Sequence, residues 1–248
     1  MDLAKKKIPC VLVTVIEAKG STPRECGTKM VVSPHEQFGT IGGGNLEFQI
    51  ISEARKVLLV SSSTAIVKNY LLGPTLGQCC GGALTVLLEP FPPIEKELLL
   101  FGAGHVGREV VKVLEHLPIV IKWIDERDAE FPSSVSPECQ KIMTSAPVAE
   151  LRSISEKSFI VIMTHSHDLD YELVKTSLLN GKFGYLGLIG SDTKRAKFEK
   201  RLLVDGVTPK ELQRLVSPIG LKSITGKHPR EIAVAIAAQL LELGLART

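Results

Sequence analysis

Apolar and polar positions follow one pattern up to about residue 90 and another beyond it. Cys10–Glu17 (CVLVTVIE) is a nearly unbroken apolar run and predicts a buried strand. A loop over Ala18–Gly27 follows, then a second strand over Thr28–Ser33. Phe38–Ile41 leads into Gly42-Gly43-Gly44. From Asn45 to Leu59 the spacing becomes helical, with Leu46, Ile50, Ala54, Val57 and Leu58 on one face. Asn45 is placed to cap this helix, and Glu47 puts negative charge in its first turn. Ala65–Leu71 and Ala83–Leu88 read as strands on either side of a long glycine loop, Gly73–Gly82. Pro90, Pro92 and Pro93 then interrupt the pattern and mark a linker.

Beyond the prolines, strands alternate with helices. Strands are predicted at Glu97–Phe101, Ile119–Ile124, Lys141–Thr144, Phe159–Met163 and Tyr185–Ile189. Helices are predicted at Val106–His116, after each of the last two strands, and at Pro229–Leu243. Thr208-Pro209-Lys210-Glu211 has the form of a capping box with proline at the first helical position. Alternation of this kind implies a parallel sheet covered on both faces. The predicted fold class is α/β, with a Rossmann-like domain over 93–248 and a smaller α+β domain over 1–92.

Composition narrows the partners. Up to Glu95 there are 9 basic and 8 acidic residues, and after it 21 and 19, so neither half is a basic surface for nucleic acid. No apolar run approaches the roughly 20 residues that span a bilayer, and Met1–Lys7 lacks the apolar stretch of a secretory signal. A cytoplasmic protein is expected. Five cysteines, an odd number, argue against a disulfide framework and leave thiols for chemistry.

Four stretches carry candidate chemistry. Gly102-Ala103-Gly104-His105-Val106-Gly107 is a G-x-G-x-x-G that follows a strand and opens a helix, and the next strand ends at Asp125. That context is the dinucleotide fingerprint: glycines for the turn, backbone N–H groups for phosphate, and a carboxylate for ribose hydroxyls. The alternative is a loop that only turns the chain. Gly20–Arg24 and Gly42–Gly44 are further glycine loops, the first carrying Arg24 and the second preceding a helix N-terminus that could hold an anion. Leu76-Gly77-Gln78-Cys79-Cys80-Gly81-Gly82 sets two cysteines among glycines, where sulfur stays accessible and thiolate can meet a soft metal. Neighbouring residues of an extended segment point to opposite sides, so one of the two faces a ligand.

The fourth stretch is Thr164-His165-Ser166-His167-Asp168-Leu169-Asp170, which follows a strand where α/β sheets bind ligands. The dinuclear metallo-β-lactamase pattern wants Asp and His where Leu169 and Asp170 stand, so that reading is rejected. The structural alternative is that the histidines cap the next helix or bond backbone.

Taken together, GSTPRECGTKM (20–30), GTIGGGNLE (39–47), LGQCCGG (76–82), FGAGHVG (101–107), MTHSHDLD (163–170), YLGLIGSDTKRAKF (185–198) and SPIGL (217–221) resemble the XdhC family, the accessory proteins of xanthine dehydrogenase maturation. Many members of the wider XdhC/CoxI group have a cysteine where this chain has Asn45. The double-cysteine loop is similar to the xanthine dehydrogenase branch. The resemblance implies a non-catalytic protein that binds molybdenum cofactor, assists its sulfuration with a cysteine desulfurase, and delivers it to an apo-hydroxylase. It also implies a homodimer. The implied binding residues are Arg24, Gly42, Gly43, Gly44, Gln78, Cys79, Cys80 and Gly81. Gly102, Gly104, His105, Gly107, Asp125, His165, His167 and Asp170 form a second set, around a nucleotide-type site. Cys79 or Cys80 is the expected molybdenum contact. The competing reading is an NAD(P)-dependent oxidoreductase working at the Gly102–Asp125 site, which leaves the cysteine loop idle.

Overall fold

The computed structural model describes residues 8–60, 63–72, 81–92, 96–136 and 139–246. The chain divides into two compact units, with the boundary at residues 93–94.

The first unit is α+β. Its strands are β1 (Cys10–Lys19), β2 (Lys29–Val32), β3 (Gln37–Gly39), β4 (Ile66–Leu71) and β5 (Ala83–Phe91), with helix α1 (Gly44–Leu59) between β3 and β4. The sheet order is β3-β2-β1-β5-β4, and every pairing is antiparallel. Val11, Val13 and Val15 of β1 and Leu84, Val86 and Leu88 of β5 face one side. There they meet Leu46, Ile50, Ala54 and Val57 of α1. A bulge lies between Val15 and Glu17. The extra residue, Ile16, is 40% exposed, and past it the inward parity switches from odd to even, so that Ala18 packs on the core.

Two sequence expectations need correction here. Asn45 does not cap α1: the cap is Gly43, with no side-chain hydrogen bond, and φ is positive at Gly42, Gly43 and Gly44. Three positive-φ glycines in a row place the helix start two residues earlier than an Asn45 cap would. Pro90 does not end the strand either, because β5 runs to Phe91 with Pro90 opposite Val11. Leu72 N–H donates to Gly82 O, so the even residues of β5 direct their backbone groups toward β4. β4 pairing ends at the Ile66–Leu88 pair, and the N–H that Pro90 lacks has no ladder to serve.

The second unit is Rossmann-like. It contains β6 (Glu97–Phe101), α2 (His105–Leu114), β7 (Val120–Asp125), β8 (Cys139–Met143), β9 (Ser158–Ile162) and α3 (His167–Asn180). β10 (Tyr185–Leu188), α4 (Asp192–Val204), α5 (Pro209–Leu212), β11 (Leu215–Val216) and α6 (Pro229–Glu242) complete it. The sheet is parallel throughout, in the order β11-β10-β9-β6-β7-β8. Read from its β8 edge, and numbered within the unit, this is 3-2-1-4-5-6, the doubly wound order of dinucleotide folds. The central strand β6 is buried on both faces, as its unbroken ELLLF requires. Leu98 and Leu100 pack under α2 and α6 through Val110, Leu114, Ile236 and Leu240. Leu99 and Phe101 pack under α3 and α4 through Leu173, Val174 and Leu202. Each such side chain contributes roughly 1.5–3 kcal/mol of burial. The Thr208 capping box is present, with Pro209 at the first helical position. Among the described residues no helix is long and apolar enough to cross a membrane.

Candidate functional site

In the first unit the glycine loops converge at one end of the sheet. A Cβ on Gly82 would lie 2.4 Å from Ser21 O and 2.5 Å from Lys19 O. A Cβ on Gly42 would lie 2.6 Å from the Pro23 ring. The 20–24 turn is thus wedged between the 42–44 loop and the start of β5, and only glycine permits either approach. The Leu72–Gly82 hydrogen bond closes the ladder at this same end. Gln78, Cys79 and Cys80, which precede Gly81 in sequence, lie outside the described residues. Gly81 is exposed, and among the described residues neither it nor Gly43 has an atom within 4 Å of where a Cβ would stand. Arg24 is exposed at the rim.

Glu47 organises this end, a role the sequence did not reveal. Its carboxylate accepts from Ile41 N–H at 3.0 Å and Gly43 N–H at 3.1 Å, and from Thr40 Oγ1 and Gln37 Nε2. Burial pushes the carboxyl up, but these four hydrogen bonds outweigh it and hold it below the ordinary range. The donors at 41 and 43, which an external anion would need, are therefore met from within.

The described cysteines differ in access. Cys10 is half-buried, and burial raises its thiol. Cys26 is exposed and donates to Ile16 O at 3.1 Å. Cys139 is in the core of the second unit.

In the second unit the topological switch point falls between β6 and β9, and the glycine loop sits at its C-terminal edge. Each fingerprint glycine has a separate task. A Cβ on Gly102 would meet Met163 O at 2.3 Å, and one on Gly107 would meet Gly102 O at 2.2 Å. Gly104 has nothing within 4 Å, so its face of the loop is open to a ligand. His105 is exposed at the first position of α2.

Asp125 ends β7, as the fingerprint requires, and is 5% exposed. Its Oδ2 accepts from Ala103 N–H at 2.7 Å and from Arg127 Nη2 at 3.0 Å. Its Oδ1 accepts from Arg127 N–H and Nε, both at 3.0 Å. Burial raises this carboxyl, but the Arg127 guanidinium and the two backbone donors overcome that and hold it below the ordinary range. The carboxylate pins the glycine loop to the end of β7. Arg108, bonded to Ala103 O and to Glu130, braces the loop from the other side.

Between this loop and the end of β9 lies a recess of only about 10 Å³, lined by Phe101, Gly102, Asp125, Glu126, Thr164 and His165 among others. His165 Nε2 lies 3.3 Å from Glu126 Oε1 across it. Neither histidine caps α3: Ser166 does, its side chain accepting from Leu169 N–H. His167 is exposed at the first position of the helix.

Asp170 is fully buried and faces inward. Oδ1 accepts from Thr164 N–H at 3.0 Å and Oγ1 at 2.7 Å, and Oδ2 accepts from Lys194 Nζ at 2.6 Å. Lys194 also donates to Ile189 O. The pair ties the loop after β9 to the loop after β10. Lys194 escaped the sequence reading, although a lysine in the first turn of a helix opposes the helix dipole and so signals a buried partner. Among the described residues no three His, Cys, Asp or Glu side chains gather as a metal-ligand set.

A doubly wound nucleotide-type unit with an intact glycine fingerprint and a small antiparallel unit whose glycine loops meet at one end define a two-domain class. Residues 98–240 match the model of the XdhC Rossmann domain, and residues 3–69 match that of the XdhC and CoxI family. The chain belongs to the XdhC and CoxI family.

Among its relatives, the uncharacterized protein YqeB of Escherichia coli is 26% identical over 246 residues, 97% of this chain and 44% of that protein. A probable xanthine dehydrogenase subunit of Bacillus subtilis is 30% identical over 160 residues, 62% of this chain and 44% of that protein. The chain therefore spans less than half the length of these two curated relatives. A crystal structure described as a xanthine dehydrogenase from Bacillus halodurans shares the fold, with a TM-score of 0.53 at 24% identity over 99% of this chain and 94% of that one.

Proposed function

We propose that the chain carries molybdenum cofactor for the maturation of a xanthine dehydrogenase-type hydroxylase, holding it, assisting its sulfuration with a cysteine desulfurase, and delivering it. The observation that supports this most is the convergence of the 20–24 and 42–44 loops with Gly82, which follows Cys79 and Cys80 closely in sequence. The residues present fit such a group. Gly43 and Gly81 leave open space against which a planar pterin can lie close to backbone. A thiolate of Cys79 or Cys80 suits a soft metal centre, and Arg24 suits a phosphate. The group when bound supplies the metal and dithiolene that the hydroxylase later uses. The chain's own residues bind it, orient it and limit its contact with water. In this reading the chain is an accessory protein and not a catalyst, and it acts in the cytoplasm.

The test is the pterin and molybdenum content of the purified chain and of its Cys79→Ala, Cys80→Ala and Cys26→Ala variants, with thermal stability as the folding control. One of the first two variants should lose cofactor at unchanged stability, while Cys26→Ala keeps it. Full retention in the Cys79→Ala/Cys80→Ala double variant overturns the assignment of the cysteine pair.

A second ligand is favoured by the open face of Gly104 beside Asp125: a nucleotide in the Rossmann-like crevice, with His105, His165 and His167 at its edge. Mass spectrometry of material released from the purified chain separates the two. A pterin supports the carrier reading, whereas stoichiometric nicotinamide with substrate turnover supports an NAD(P)-dependent oxidoreductase.

A further inference from the structure

In the second unit the phosphate half of the glycine fingerprint is open, whereas the ribose half is shut. At the phosphate turn, nothing among the described residues stands within 4 Å of a Cβ placed on Gly104. The recess bounded by Asp125 holds only about 10 Å³, room for no more than one water. Two side chains close it. β7 and β9 flank β6, so their ends lie about 9–10 Å apart. His165, three residues past β9, and Glu126, one residue past β7, reach toward each other across that gap, Nε2 to Oε1 at 3.3 Å. Phe101 and Gly102, at the end of β6 between them, line the recess. Neither closing side chain is packed into the fold: the histidine is 41% and the glutamate 40% exposed. Asp125 is closed from within as well. Ala103 N–H, Arg127 N–H, and Arg127 Nε and Nη2 occupy the four lone-pair sites of its carboxylate. A ribose diol can bond it only by displacing the Arg127 guanidinium, whose other partner, Glu130, already lies 3.4 Å from Nη1.

We propose that the His165–Glu126 contact is a latch that holds the ribose half of the crevice shut in the free chain, and that a nucleoside or nucleotide enters by parting it. This rests on the reading of the crevice as a nucleotide site and adds how access to that site is controlled. The backbone on both sides is pinned. Asp125 ties the glycine loop to the end of β7, and Asp170, itself bonded to Lys194, holds Thr164 N–H and Oγ1 beside His165. Opening is therefore a rotation of two surface side chains and not a movement of the loops. An exposed pair of this kind adds little to folding stability, so it can part while the fold stays intact. Its effect falls on the ligand, whose apparent affinity is reduced by the fraction of molecules in which the site is open. The open turn at Gly104 and the shut recess beside it thus divide one fingerprint into an accessible half and a guarded half.

Isothermal titration calorimetry of the full chain with adenosine is the test, because an uncharged probe responds little to the loss of a charge at either position. His165→Ala, Glu126→Ala and the double variant are compared with the parent, with the Trp123 melting midpoint as the folding control. Each single variant should bind adenosine more tightly, by up to about fivefold, the worth of an exposed pair. The double variant should gain no more than the better single one, because loss of either partner opens the same latch. The comparison is repeated with ADP, where removing the histidine should again tighten binding although it takes away a group that could meet phosphate. Failure of adenosine and ADP alike to bind any of the four proteins overturns the nucleotide reading, and the latch with it. Binding that the variants leave unchanged overturns the latch alone. Weaker binding in His165→Ala does so too, by showing that the histidine is a ligand. Gains that multiply in the double variant also overturn it, since the two side chains would then obstruct the crevice separately.

Discussion

Removing the amine of Lys194 should destabilise the second unit sharply, because Asp170 is fully buried and Lys194 is its only cationic partner among the described residues. The two bonds from Thr164 to Asp170 survive in Lys194→Met, but they bring no positive charge. Breaking a buried pair from one side costs about 3–5 kcal/mol, since it strands the remaining charge. Lys194 is 13% exposed, so solvent screens the pair little. For a unit of this size each kcal/mol moves the midpoint by about 2–4 °C, which puts the loss at about 6 °C or more. The chain has a single tryptophan, Trp123, buried in the second unit, so its fluorescence reports the melting of that unit alone. Lys194→Met/Asp170→Asn removes both charges and should recover much of the loss. A Lys194→Met midpoint within 2 °C of the parent (roughly 1 kcal/mol or less) would refute the buried pair as a stabilising clamp. Equal losses in the single and double variants would show that shape, not charge, sets the cost.

The fingerprint glycines should separate folding from binding. Gly107→Ala forces a Cβ to 2.2 Å from Gly102 O and should cost about 1–3 kcal/mol by urea unfolding followed at Trp123. Gly104→Ala meets nothing within 4 Å at a φ of −66°, so it should leave stability unchanged while weakening any nucleotide bound in the crevice, measured by equilibrium dialysis. Asp125 is held below its ordinary range in the fold, so its contribution is fully present above the unfolded carboxylate range and is lost as pH falls through the folded value. Asp125→Asn should cost about 1–3 kcal/mol at neutral pH and flatten the acid limb of the Trp123 unfolding profile. Glu47→Ala frees the N–H groups of Ile41 and Gly43, and amide exchange at those two positions should quicken by about tenfold for each 1.4 kcal/mol lost locally.

Local pattern sufficed for most of the fold. The continuous apolar run of β6, the helical spacing of Leu46, Ile50, Ala54 and Val57, and the Thr208 capping box depend on neighbours a few residues away, and each element formed where that spacing puts it. The fingerprint from Gly102 to Asp125 was legible because its spacing is set along one strand–turn–helix–strand stretch, although the close approach that requires Gly102 comes from Met163, the residue after β9. Two local signals were overridden by their surroundings. Asn45 has the chemistry of a cap, but three left-handed glycines set the helix start. Pro90 signals a break, but β4 stops short of it and leaves no ladder to interrupt.

The candidate site divides along the same line. Sequence alone determined which residue types could bind: glycines that open backbone to a ligand, adjacent cysteines, and a carboxylate at a strand end. Tertiary structure decided how the described ones are occupied. Asp170 looks like a free carboxylate beside two histidines until Lys194, 24 residues away, is found beneath it. Glu47 looks like a helix-dipole residue until the folded loop brings the donors of Ile41 and Gly43 onto it. The 20–24 turn meets Gly82, far along the chain, only because β1 and β5 pair in register up to that end. A side chain's chemistry is fixed by its atoms, whereas its solvation and its partners are set by which segments the sheet brings together.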